Sequence, residues 1–205
     1  MIYKTIVLFL ILIWGACKNP FFHEVEPPSG ETFEPVSQPR DIFDRLKLVY
    51  KDQTLIDHLS EIMQEPGFIF HFSFEDSNNF DLQGSFIWDS KKEFDFLDSL
   101  KRKYPNNEII VIFDSTINIS IEKGIDETKD QKSLWSSNYL ILFKKDVKIN
   151  PESIQYVGRM ELLLEKNESR EWRLKDWTDI WTTPMDTSGG TIAGTWGRFK
   201  FHYGE

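Results

Sequence analysis

Apolar residues recur along this chain with two different periods, and the change from one to the other orders its elements. Ile42, Leu46, Val49 and Tyr50 fall on one face at helical spacing, after Pro39 and Asp41, which suit a helix start. Leu55, Leu59, Ile62 and Met63 make a second such face, closed by Pro66-Gly67. Phe68, Phe70, Phe72 and Phe74 then alternate with Ile69, His71, Ser73 and Glu75, which predicts a half-buried strand with the phenylalanines inward. Ser90-Lys91-Lys92-Glu93 has capping-box spacing, Ser90 and Glu93 satisfying each other's free backbone donors, and predicts a third helix bearing Phe94, Leu97 and Leu100 and ending near Tyr104-Pro105. Strand-like alternation follows over residues 108–121, 139–145, 153–165 and 171–181. Tyr156, Met160, Leu162 and Leu164 share one face, and Trp172 and Leu174 continue it after a polar turn at 166–170, so these last two strands predict a hairpin.

The N-terminus has a different design. One positive charge at Lys4, an apolar run from Ile6 to Trp14 and the small residues Gly15-Ala16 before Cys17 have the layout of a secretory signal peptide. The run is short of the ~20 apolar residues that a transmembrane helix needs, so an uncleaved membrane helix is the weaker reading. Cys17 is the only cysteine, and Trp14-Gly15-Ala16-Cys17 resembles a lipobox with Trp14 where leucine is usual. That resemblance implies a diacylglyceryl group on the Cys17 thiol and cleavage just before it, with ordinary signal cleavage as the alternative. The expected location is the bacterial cell envelope. The outer membrane is favoured in a Gram-negative cell, because Lys18 rather than aspartate follows the cysteine. An acylated Cys17 leaves no thiol for a disulfide within one chain, and its acyl chains make attachment effectively permanent.

Residues 18–39 carry Pro20, Pro27, Pro28, Pro35 and Pro39 among Glu24, Glu26, Glu31 and Glu34, with no apolar period. Such a segment cannot offset its ordering entropy by burial and reads as an extended tether. The expected division is therefore a signal peptide at 1–16, the lipidated cysteine and tether at 17–39, and a single domain with a C-terminal extension at 40–205. The chain has 205 residues and 15% aromatic content, which suits a substantial core in the part after the tether. Its net charge of −9 argues against a nucleic-acid partner, which needs clustered Lys and Arg, and against a domain lying flat on anionic lipid.

The order helix, helix, strand, helix and four antiparallel strands resembles the nuclear transport factor two-like superfamily, which includes ketosteroid isomerases and polyketide cyclases. Phe70-His71-Phe72-Ser73-Phe74 resembles the first strand of these domains. Tyr156-x-Gly158-x-Met160-x-Leu162, followed by the run from Trp172 to Asp179, is similar to their closing hairpin, and Thr195-Trp196-Gly197 resembles a tail motif of exported members. The resemblance covers residues 40–183 and rests on core and hairpin signatures, none of them catalytic. It implies an α+β fold, a cone-shaped curved antiparallel sheet packed on three helices of the N-terminal half, with an open end that often holds a ligand and a sheet through which two copies can pair. Activity in such a fold depends on a few polar groups inside it.

An enzyme of this kind would resemble the isomerases in setting a carboxylate base and a proton donor against an apolar pocket. The candidate pocket residues are Tyr50, His58, Phe70, Phe72, Tyr156, Met160 and Asp176. Strand alternation gives Asp176 the parity of Trp172 and Leu174, so it points inward unless a bulge intervenes. Asp179 then points outward, where Arg159 can pair with it. Tyr50 belongs to an apolar stripe, and a buried tyrosine with one hydrogen bond is commoner than a catalytic one. His71 shares the outward face of the first strand. His23, His58, His71 and His202 have no ligand spacing, the acidic residues Glu122, Asp126, Glu127 and Asp130 lack a calcium-loop pattern, and the glycines near 189–197 lack the lysine of a phosphate loop, so neither metal nor cofactor is expected. Two functions remain. The first is a non-catalytic domain binding a small apolar molecule or an envelope protein, and the second is an isomerase- or cyclase-type enzyme using a buried carboxylate. A filled cone favours the first, and an open cavity holding Asp176 near Tyr50 or His58 the second.

Overall fold

Helix α1 (Asp41–Lys51) forms where the apolar stripe predicts, burying Ile42, Phe43, Leu46, Val49 and Tyr50, with Asp41 and Asp44 in its first turn and Lys51 in its last to suit the helix dipole. This comes from a computed structural model, which describes residues 34–80, 82, 87–149, 152–182 and 192–204. The signal segment, Cys17 and most of the tether lie outside the described residues. The second predicted helix is divided into a 3₁₀ turn (Gln53–His58), capped by the Asp52 side chain on the Thr54 N–H, and a single α turn, α2 (Leu59–Ile62).

Strand β1 (Ile69–His71) is shorter than the phenylalanine alternation suggests. Ser73 ends it by capping helix α3 (Phe74–Asn79), its hydroxyl accepting the Asp76 N–H at 3.1 Å. Phe68 and Phe70 are therefore buried, whereas Phe74 is 77% exposed and does not point inward. Helix α4 (Ser90–Lys103) starts one residue earlier than a Ser90 cap would give. Asp89 is the cap, accepting the Lys92 N–H at 2.9 Å, and Glu93 turns into the interior on the stripe of Phe96, Leu97 and Leu100, while Phe94 is 38% exposed and off that stripe.

The remaining elements are β2 (Glu108–Asn118), α5 (Glu127–Asp130), β3 (Lys132–Lys144), β4 (Ile154–Lys166), β5 (Trp172–Ile180), β6 (Ile192–Gly194) and α6 (Trp196–Tyr203). The sheet order is β1-β5-β4-β3-β2. The four long strands pair antiparallel as expected, and the short β1 and β6 add in parallel to β5 and β4. Strand β3 begins well before residue 139, because Ser133, Ser136 and Ser137 are buried strand positions that an apolar pattern does not reveal. The outcome is an α+β fold in which a curved sheet packs on helices.

One irregularity decides the orientation of the site. Leu163 pairs with Asp176 and Leu164 with Leu174, so Lys175 is an extra residue on β5. A bulge of this kind reverses which side chains point inward beyond it. Trp177 and Asp179 are consequently buried, and Asp176 lies on the outer face, its Oδ1 3.3 Å from Nε2 of His71. The inward reading of Asp176 and the outward reading of Asp179 are thus both corrected. At the other end, Val36 of the supposed tether is fully buried and its carbonyl accepts the Trp172 N–H at 3.0 Å. The packed unit therefore begins before residue 40.

Candidate functional site

Helix α6 occupies the space between the sheet and the helices. Its residues Trp196, Phe199, Lys200 and Tyr203 recur at i, i+3, i+4 and i+7 and are all buried. Trp196 packs edge to face against Tyr50 of α1, Tyr139 of β3 and Trp177 of β5, with ring centroids 4.9, 5.2 and 4.5 Å apart. Phe199 meets Phe96, Phe143 and Tyr156 at 5.4, 5.2 and 5.0 Å. The cone is filled by the end of its own chain. Thr195-Trp196-Gly197 is the capped start of this helix, with the Thr195 hydroxyl accepting the Arg198 N–H at 3.2 Å.

Three buried carboxylates hold α6 in place. The first, Asp179, accepts the Tyr139 hydroxyl on Oδ1 at 2.5 Å and the Gly197 N–H on Oδ2 at 2.7 Å. Tyr139 in turn accepts the Trp196 N–H at 2.7 Å. Two donors left free at the helix start are thereby satisfied. Only glycine permits this approach, since a Cβ on residue 197 would lie 2.7 Å from the Phe72 ring and 3.2 Å from Asp179 Oδ2. Burial pushes the Asp179 carboxyl up from 3.8 to about 6, against the lowering effect of the Tyr139, Gly197 and Thr195 hydrogen bonds. Burial, and then the neighbouring Asp179 charge, keeps the Tyr139 phenol protonated well above its ordinary range.

Asp76 is the second. Its Oδ2 accepts the Ser73 hydroxyl at 3.0 Å and also the Thr195 hydroxyl, and its Oδ1 pairs with the Arg198 guanidinium, 3.1 Å from Nη2. The third is Glu93, which accepts the Tyr50 hydroxyl and, at 2.7 Å, the Trp88 indole N–H. Lys200 Nζ stands 2.6 Å from the same Glu93 oxygen, and neither side chain is exposed to solvent. Burial lowers the Lys200 ammonium to about 8, with Glu93 opposing that shift.

Of the candidates named from sequence, Tyr50, Phe70, Tyr156 and Met160 are buried in this interior and Phe72 is partly buried against it. Asp176 is not brought there. His58 sits on the 3₁₀ turn, its Nδ1 2.9 Å from Glu61 Oε1. Pattern reading missed Glu93, Asp179, Lys200 and Tyr139. A legible signal did exist for two of them, because Glu93 and Lys200 are opposite charges set in the apolar stripes of two different helices. Among the described residues no group of three or more potential ligands could hold a metal ion, and no helix is long and apolar enough to cross a membrane.

No family model and no curated protein matches the sequence. Solved structures do share the fold. The Kfla4162 protein from Kribbella flavida aligns with a TM-score of 0.53 at 11% identity, over 70% of this chain and 88% of its own. The beta subunit of the benzoate 1,2-dioxygenase from Burkholderia mallei aligns with a TM-score of 0.52 at 8% identity, over 73% and 93%. An NTF2-like protein of unknown function in nutrient uptake from Rhodospirillum rubrum aligns with a TM-score of 0.49 at 7% identity, over 71% and 99%. For the first two, at 11% and 8% identity, the likeness is one of fold.

Proposed function

We propose that this chain is a lipid-anchored binding domain of the bacterial envelope whose interior is closed by its own C-terminal helix. The observation that carries the reading is the saturation of the interior carboxylates. Asp76, Glu93 and Asp179 are buried, and their oxygens accept from Ser73 and Thr195, from Tyr50 and Trp88, and from Tyr139 and Gly197 respectively. A general acid or base must come within hydrogen-bond reach of a substrate proton, and α6 fills the place such a substrate would take. The anchor rests on the sequence, where the apolar run and Gly15-Ala16 lead into Cys17. Labelling with a palmitate analogue and membrane fractionation test it. The wild type should carry label and sediment with membranes, and Cys17→Ser should lose both. Label persisting on the serine variant would end the lipidation reading.

A second reading has one observation in its favour. A carboxyl raised to about 6 beside a protonated phenol, as in Asp179 and Tyr139, is what an isomerase- or cyclase-type enzyme requires. It would act only with α6 withdrawn. Hydrogen exchange at the Gly197 amide separates the two readings. Protection close to that of the sheet supports the closed domain, and exchange as fast as at a frayed end supports the enzyme.

A further inference from the structure

The Lys200 ammonium is buried among neighbours that suit a different cation. Nζ lies 3.5 Å from the centroid of the Phe70 ring, 4.3 Å from that of Trp177 and 5.7 Å from that of Trp88. Its ionic partner is Glu93 Oε2 at 2.6 Å, and one carboxylate oxygen leaves the other donors of a three-donor ammonium facing ring carbons. Buried donors left without an acceptor are costly. A cation without such donors would forfeit nothing in the same place. Ring faces around a charge, with one carboxylate beside it, are the arrangement that holds quaternary and methylated ammonium groups.

The enclosure is built without the helix that brings Lys200 to it. Phe70 stands on β1, Trp177 on β5 and Glu93 on α4. The Phe70 and Trp177 rings meet at 5.3 Å, the Phe70 N–H donates to the Trp88 carbonyl at 2.8 Å, and Trp88 Nε1 donates to Glu93 Oε2 at 2.7 Å. Tyr50 steadies the other Glu93 oxygen. Walls and counter-charge thus position one another, and Lys200 enters from α6 at the end of the chain.

We propose that this enclosure is a recognition site for an alkylated ammonium group on an apolar body, and that Lys200 occupies it in competition with such a ligand. The apolar body would take the volume of Trp196, one turn before Lys200 on the same helix. A permanent cation has an advantage over the resident, whose own charge burial weakens. The ligand binds the state in which α6 is withdrawn, so its apparent affinity is reduced by the fraction of chains in that state. The inference rests on the binding-domain reading and names the class of ligand.

Tryptophan fluorescence of the detergent-solubilised full chain, titrated with benzyltrimethylammonium and with its neutral isostere neopentylbenzene, tests the proposal. Lys200→Ala should bind the charged probe about tenfold more tightly than the wild type, or better, the scale expected from removing a desolvated cation–π competitor. The neutral probe should bind less well than the charged one, and adding Glu93→Gln to Lys200→Ala should abolish the gain. Equal affinity of wild type and Lys200→Ala, indifference to charge, or no saturable binding would overturn it. If circular dichroism shows that Lys200→Ala does not fold, Lys200→Met keeps the length and removes the charge. The same tightening is expected there, and its absence overturns the proposal equally. Membrane release of Cys17→Ser leaves these titrations unaffected, so the anchor and the enclosure fail separately.

Discussion

Asp179 is ionised only at the expense of its surroundings. Burial raises its carboxyl from 3.8 to about 6, so between those values the folded chain binds more protons than the unfolded one. The stability this residue contributes is complete below the unfolded value and is lost as pH rises through the folded one. Asparagine cannot titrate. The difference in thermal midpoint between wild type and Asp179→Asn should therefore move against the wild type from about pH 4 to about pH 6 and stay level above that window. A flat difference throughout would mean that Asp179 titrates as an exposed carboxyl. The residue was misread from sequence because parity was counted through Lys175, and a single bulged position carries no mark in composition that separates it from ordinary strand. Glu93 and Lys200 were more legible. A charge in an apolar stripe requires a buried partner, and these two supply each other.

Among the elements, α6 departs furthest from what its sequence suggests. Thr195-Trp196-Gly197 has the composition of a turn, yet Trp196 is fully buried at the meeting of α1, β3 and β5. Truncating a buried tryptophan typically costs ~3–5 kcal/mol. Trp196→Ala should lose stability on that scale in denaturant melts, whereas exposed His202→Ala should change it by no more than ~0.5 kcal/mol. Equal small effects would show that α6 is not part of the packed interior. Helix α1, β4 and the second half of β3 were readable because their apolar periods are uninterrupted. The helix start at Asp89 and the strand end at Ser73 were not, since neighbouring residues can each serve as a cap and side-chain geometry selects between them.

For the molecule as a whole, the tether and the domain meet at a different point from the one composition indicates. Val36 is buried and its carbonyl receives the Trp172 N–H, although prolines and glutamates surround it. A chain starting at residue 34 should therefore be more stable than one starting at residue 40 by the ~1.5–3 kcal/mol expected for burying such a side chain, and melt at a higher midpoint. Equal midpoints would return Val36 to the tether. Periodicity alone determined the hairpin of β4 and β5 and the buried faces of α1 and β4, because these follow from local repetition and the drive to bury one side of an element. Tertiary structure alone decided which carboxylate faces inward, where the domain begins and what fills the cone. Each of those outcomes depends on contacts between residues far apart in the chain: Lys175 shifted against Leu163 and Leu164, Val36 against Trp172, and Lys200 against Glu93. A local pattern holds no information about such pairings until the chain has closed on itself.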